Sequence, residues 1–147
     1  MNGTAHLIGG AIGGPIAGVA LSIQANRQPT FAEACGWIAA GIGGAKLPDH
    51  LEPAYCPRHR RFCHSGCVLA LDFVLLQSKS LQDWIETLRL NAREHHRLAQ
   101  FDPNGPGLHK VWAYLLEFLA GVLPGLLGGY ASHLILDSTT PSGLPLV

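Results

Sequence analysis

Histidine and aspartate side chains are the residues of this sequence best suited to chemistry. Six of them stand at the margins of apolar segments: His6, Asp49, His59, His64, His133 and Asp137. Mixed imidazole and carboxylate sets suit catalytic divalent metals, which lower the pKa of bound water and polarise a phosphoryl or acyl oxygen. These residues are therefore candidate metal ligands.

The motif HLILD places His133 and Asp137 four residues apart. On a helix this spacing stacks both side chains on one face, where they could share a metal. The run before the pair is apolar and the run after it, STTPSG, predicts the end of a helix. The alternative interpretation is a structural couple joined by a hydrogen bond.

Asp49 and His50 directly follow a second apolar run, and Pro48 predicts that the helix ends or breaks there. A carboxylate at a helix end can face a cavity. His6 stands at the head of the first apolar run, where a lone histidine is more often a satisfied polar group than a ligand.

A third element is the stretch CPRHRRFCHSGC, in which His59 and His64 are five residues apart. Both can reach one site only if the chain turns before Ser65. Ser65 is a suitable N-cap for an apolar helix that begins at Gly66.

The same stretch supplies Cys56, Cys63 and Cys67, which together with His59 could form a zinc site. The spacings lack the paired C-x₂-C motifs of recognisable structural zinc sites. Packing residues and, beside the arginines, a redox thiol are the alternative interpretations of these cysteines.

The elements that must position these residues are apolar and rich in small residues. LIGGAIGGPIAGVALSI is close to the ~20 residues needed to cross a membrane, and residues 111–132 form the best span. Glu117 is the only charge in that span, and Pro124 predicts a kink. Asp72 and Glu117 would be easier to accommodate in a soluble helical protein, so both environments stay open, with the membrane favoured.

An amphipathic helix is predicted between the apolar runs, in SLQDWIETLRLNAREHHRL. Leu81, Trp84, Ile85 and Leu88 recur at helical spacing and define its apolar face. The turn-rich FDPNGPG predicts that this helix ends before residue 101.

Composition excludes some classes of protein. The 147 residues favour one domain, and a formal net charge of zero gives no indication of a nucleic-acid partner. Four cysteines are too few for a disulfide scaffold.

The motifs GTAHLIGG, LPDH, HRRFCHS and GYASHLILDSTTPSGLPL follow one another across nearly the whole chain. They resemble a bacterial family of membrane-bound metal-dependent hydrolases that is distantly similar to zinc-dependent phospholipase C. The resemblance implies that the six candidate residues ligate metal and that Arg60 and Ser65 orient a substrate phosphate. The sequence departs from the family pattern in two places. A glycine and a threonine that family members have between the two histidines are missing. Members also commonly place a second aspartate two residues after the first, whereas the nearest acid after Asp49 here is Glu52.

We therefore predict an all-α protein with a single domain over residues 1–147, a compact bundle of about four to five helices, several of them apolar enough to enter a membrane. The predicted function is hydrolysis of a small-molecule or lipid phosphoester by water activated on one or two divalent metals, most readily zinc. Arg60 would neutralise the phosphate, and Glu52 and His50 are candidates for the general base. The predicted location is the bacterial inner membrane, or the cytoplasm if the chain is soluble.

Two other classes of function stay open. One is a non-catalytic membrane scaffold or interaction protein with a structural zinc site. The other is a redox or metal-sensing protein built on Cys56, Cys63 and Cys67.

Overall fold

The computed structural model describes residues 3–52, 63–103, 105–140 and 144. These residues form six α-helices and no strand, which confirms the all-α prediction. The helices are α1 (Gly3–Gln24), α2 (Phe31–Gly44), α3 (Leu47–Leu51), α4 (Gly66–Leu76), α5 (Lys79–Phe101) and α6 (Pro106–Ser138).

The helix count exceeds the predicted four to five because the second apolar run does not continue to Pro48. Helix α2 ends at Gly44, and Pro48 lies in the first turn of the separate short helix α3. Proline is tolerated there because the first N–H groups of a helix have no partner within the helix. The predicted cap of α4 is confirmed, since the Ser65 hydroxyl accepts a hydrogen bond from the Val68 amide.

Helices α1, α2 and α6 pack against one another through glycines. A Cβ atom at Gly41 of α2 would overlap the carbonyl oxygen of Gly10 on α1, and one at Gly129 of α6 would overlap the carbonyl oxygen of Gly41. Helix α1 runs antiparallel to α6, because Gly9 faces Leu136 while Gly13 faces the carbonyl oxygen of Gly128. Small residues let helix backbones approach this closely, both in lipid and in a protein core.

Within the described residues, two helices are long and apolar enough to cross a membrane, judged by length and composition: α1 with 22 residues and α6 with 33. Helix α1 also exposes a continuous apolar stripe, which suits contact with lipid chains. Its members are Ile8, Ile12, Ile16, Val19 and Ile23. Pro124 lies inside α6, which continues as one α-helix on both sides of it.

Helix α5 is amphipathic, as predicted, and packs along the first half of α6. Leu81 and Ile85 are buried in a cluster with Leu21 of α1 and Leu76 of α4, whereas Trp84 stays 37% exposed. The helix ends at Phe101, the first residue of the turn-rich FDPNGPG and one residue beyond the predicted end.

A buried ion network ties α5 to the start of α2. The Glu33 carboxylate is fully buried, and its two oxygens accept hydrogen bonds from Arg27 and Arg89, each at 2.7 Å. Arg89 also donates to the carbonyl oxygen of Gln28 at 2.8 Å, which fixes the connection between α1 and α2. Burial of one anion between two cations is stable because each oxygen is paired.

The glycine contact between α1 and α2 predicts that alanine substitutions at two nearby positions of α2 differ sharply in their effect on stability. Gly41→Ala should destabilise the protein by about 1–3 kcal/mol, because the new methyl group forces α1 and α2 apart. The control is Gly43→Ala in the same helix, where a Cβ atom meets nothing within 4 Å. Thermal unfolding in detergent measures both, and equal midpoints would contradict the packing described.

The ion network predicts a second stability effect. Glu33→Gln should cost about 3 kcal/mol, because it leaves Arg27 and Arg89 without their counter-charge. The matched control is Glu94→Gln on α5, whose partner Arg97 is a solvent-exposed neighbour on the same helix. Chemical denaturation should separate the two variants, and a Glu33→Gln protein as stable as the control would rule out the network as a structural tie.

Candidate metal centre

The ends of four segments meet at one end of the bundle. His6 comes from the first turns of α1, Asp49 from α3, His64 from the residue before the α4 cap, and His133 and Asp137 from the last turns of α6. All of these side chains are buried except that of Asp49, which is 59% exposed. Five of the six predicted ligands therefore lie together. The sixth, His59, lies outside the described residues.

His133 is oriented by the end of α2. Its Nδ1 atom lies 2.7 Å from the carbonyl oxygen of Ala45, so Nδ1 carries the proton and donates it. Its Nε2 atom is buried and has no hydrogen-bond partner within the described part of the chain. The atom lies 3.5 Å from Asp137 Oδ2 and 3.7 Å from Asp49 Oδ1. A buried imidazole nitrogen that faces two carboxylates is an arrangement that a metal ion could satisfy.

Asp137 stands between the histidines, one helical turn after His133 on the same face. Its Oδ1 atom lies 3.5 Å from His6 Nε2, and its Oδ2 atom lies 3.9 Å from His64 Nε2. The ring of His6 stacks on that of His133, with centroids 3.9 Å apart. One carboxylate thus faces all three imidazoles.

His64 is held between two acids of the preceding segment. Its Nε2 atom lies 3.3 Å from Asp49 Oδ1, and its Nδ1 atom lies 3.2 Å from Glu52 Oε2. The backbone beside it is fixed because the Tyr130 hydroxyl donates a 2.7 Å hydrogen bond to the carbonyl oxygen of Cys63. Helix α6 therefore positions His64 as well as supplying two ligand candidates of its own.

In the part of the chain that the structure describes, the ligand atoms form two triads, each with all its atoms within 4.8 Å of one another. One is His6, His133 and Asp137, and the other is Asp49, His64 and His133. Since His133 belongs to both, the cluster could hold one metal ion between the triads or one ion on either side. These buried histidine and aspartate groups could hold a metal ion, as their residue types predicted.

An open cleft of about 490 Å³ leads to the cluster. Its walls include His6 and Asp49, together with the exposed Lys46 and His50. Sequence reasoning missed Lys46, although the signal was present: it is the cation that ends the second apolar run, three residues before Asp49.

Several other predicted groups fall outside the described residues. Arg60 and Cys56 lie outside the described residues, as does His59, so the proposed cysteine and histidine zinc site is not described. Cys67 is exposed. Burial, followed by the negative charge of Glu52, raises the pKa of the Cys63 thiol, which disfavours the thiolate that metal binding and redox chemistry require.

Comparison with known proteins gives one match. The family model described as YdjM inner membrane protein matches residues 1–147. No curated protein and no solved structure matches the chain. The match confirms a bacterial membrane protein family and location in the inner membrane, whereas the hydrolase part of the resemblance stays a prediction.

Proposed function

This chain belongs to the YdjM inner membrane protein family. We propose that its histidine and aspartate cluster binds one or two divalent metal ions, most readily zinc, and hydrolyses a phosphoester at one face of the membrane. The observation that carries the proposal is the buried, unpartnered Nε2 atom of His133. A metal ion is the ligand that fits it, because the atom faces carboxylates rather than hydrogen-bond donors.

The surroundings of His64 support the same conclusion. Ligating histidines commonly donate their other ring N–H group to a carboxylate, which fixes the tautomer and raises the basicity of the ligand. Glu52 occupies that place, with its oxygen at Nδ1, while Nε2 faces Asp49. We therefore assign Glu52 a positioning role in place of the general base that the sequence suggested.

The cleft gives a phosphoester access to the cluster. A bound divalent metal would supply activated water and polarise a phosphoryl oxygen. The ammonium group of Lys46 would attract the anionic phosphate into the cleft, and Arg60 stays a predicted second cation. His50 lines the same cleft and can accept a proton at its imidazole, so we propose it as the general base.

Metal content tests the proposal directly. Purified wild-type protein, stripped with a chelator and reloaded with zinc, should retain metal after gel filtration. His133→Ala and Asp137→Asn should lose the metal, because each variant removes a ligand atom that lies close to several other ligand atoms of the cluster. The control is His109→Ala, which removes a histidine near the start of α6, outside the cluster.

Measurement of activity decides between a phosphoester hydrolase and a non-catalytic scaffold. Reloaded wild type should hydrolyse a chromogenic phosphodiester, and the two variants that lose metal should not. Retained metal without turnover of any phosphomonoester or phosphodiester would favour the non-catalytic scaffold. Equal metal content in all four proteins would refute the site itself.

The role assigned to Glu52 predicts a separate result. Glu52→Gln should weaken zinc affinity by about 10–100-fold while leaving a measurable site, because the amide orients His64 less firmly. The control is Glu86→Gln on α5, which pairs with Arg93 on its own helix. Titration against a competing chelator measures both. Unchanged affinity with turnover abolished would instead identify Glu52 as the general base.

A further inference from the structure

Helix α4 is attached to the bundle by two buried side chains, Asp72 and Leu76. They lie one helical turn apart and therefore on one face of the helix. Leu76 packs in the apolar cluster with Leu21 of α1 and Leu81 of α5. Most of the other large side chains of α4 are exposed: Leu71, Phe73, Val74 and Leu75. The docking of α4 thus depends on one leucine and one carboxyl group.

The carboxyl group of Asp72 has no partner within the described part of the chain. The residue is 4% exposed, its Oδ2 atom lacks a hydrogen bond, and no described cation acts on it. On α6, the titratable group that interacts with it is the phenol of Tyr130, which also interacts with Cys63 and Glu52. Helices α1 and α5 contribute apolar side chains to this side of α4. A carboxylate without a partner is costly to bury, so these surroundings favour the neutral acid.

Burial therefore couples the docking of α4 to a proton. It raises the pKa of Asp72 from the ordinary value of 3.8 to about 7. Helix α4 has 11 residues and extends for about 16 Å, so it is too short to span the membrane. The docked carboxyl group keeps its proton up to about pH 7, whereas one exposed to water loses it near pH 4. A fall in pH from 7 to 4 therefore favours the docked helix.

The docking of α4 in turn positions His64. Ser65 caps α4, and His64 directly precedes this cap. The Tyr130 hydroxyl of α6 holds the carbonyl oxygen of Cys63, on the other side of His64, at 2.7 Å. Both attachments require that the start of α4 lies against α6. Asp72, eight residues after His64, can therefore act on this histidine through the helix, without direct contact.

We propose that Asp72 is a proton-binding site, and that α4 takes up a proton there when it docks on α6 and brings His64 to the cluster. The ligand of this second site is the proton alone, and the site regulates the cluster without ligating metal. By linkage, any interaction that holds α4 on α6 also favours the proton on Asp72. The proposal applies to the metal-free protein, so it does not depend on catalysis.

Infrared titration of the metal-free protein in detergent tests the proton site. The carbonyl stretching band of a neutral carboxyl group is distinct from the bands of a carboxylate. Wild type should show such a band that disappears with a midpoint near pH 7, and Asp72→Asn should lack it. The control is Asp83→Asn on α5, which removes an exposed aspartate and should keep the band. Identical titrations of wild type and Asp72→Asn would overturn the proposal.

Hydrogen exchange tests the link between the proton and the docking of α4. A helix of 11 residues is marginal without packing, so its amides should exchange when it leaves the bundle. After correction for the intrinsic effect of pH, the amides of residues 67–76 should be roughly 50-fold more protected at pH 5 than at pH 7. Asp83→Asn should keep this dependence on pH.

Two variants at position 72 complete the exchange experiment. Asp72→Asn and Asp72→Leu should both lose most of the dependence on pH, because neither side chain takes up a proton. The leucine variant also avoids an unpaired buried amide, so it serves if the asparagine variant does not fold. Protection of α4 that is equal at both pH values in wild type, or that changes equally in all variants, would refute the coupling.

The outcomes separate this proposal from the proposed function. If Asp72 titrates and α4 responds as expected while the protein retains no zinc, the proton site stands and the metal centre fails. If zinc is retained but the exchange of α4 in wild type is independent of pH, the metal centre stands and the proton site fails.

Discussion

Direct contact between the backbones of α1, α2 and α6 is the constraint on which the cluster depends. The carbonyl oxygen of Gly41 lies where only a hydrogen atom of Gly129 can be accommodated. One turn farther along both helices, this approach brings the carbonyl oxygen of Ala45 to His133 Nδ1. The orientation of the central imidazole is thus set by helix packing, which is why residues with no polar side chain control the chemistry of the site.

The bundle has polar groups at both ends and an apolar middle. His6, His133 and Asp137 lie at one end, while Glu33 with its two arginines lies at the other, where α5 packs. Near that second end, His96 also approaches Glu117 at 3.1 Å, so the one acid of the apolar span is paired rather than isolated. This division suits a membrane protein, because these charged groups lie near the interfaces or find partners.

Local geometry explains what could be predicted from the sequence. The spacing of His133 and Asp137 and the cap at Ser65 follow from helical periodicity and from helix ends, so both were predicted correctly. The contacts of Ala45 and Glu52 with the two histidines depend on which segments meet in space. No periodicity encodes those contacts, so the sequence offered Glu52 as a candidate base but gave no sign of its contact with His64.

The length of α6 has a consequence for the two sides of the membrane. At 1.5 Å per residue its 33 residues extend for about 50 Å, which exceeds a hydrocarbon core of ~30 Å by about 20 Å. Helix α5 packs along the first half of α6. The part of α6 that exceeds the hydrocarbon core is therefore assigned to its N-terminal end, where α5 packs. His133 and Glu117, which contacts His96 of α5, are 16 residues apart on α6, a rise of about 24 Å. The cluster and this contact with α5 are therefore separated along α6 by most of the thickness of a hydrocarbon core.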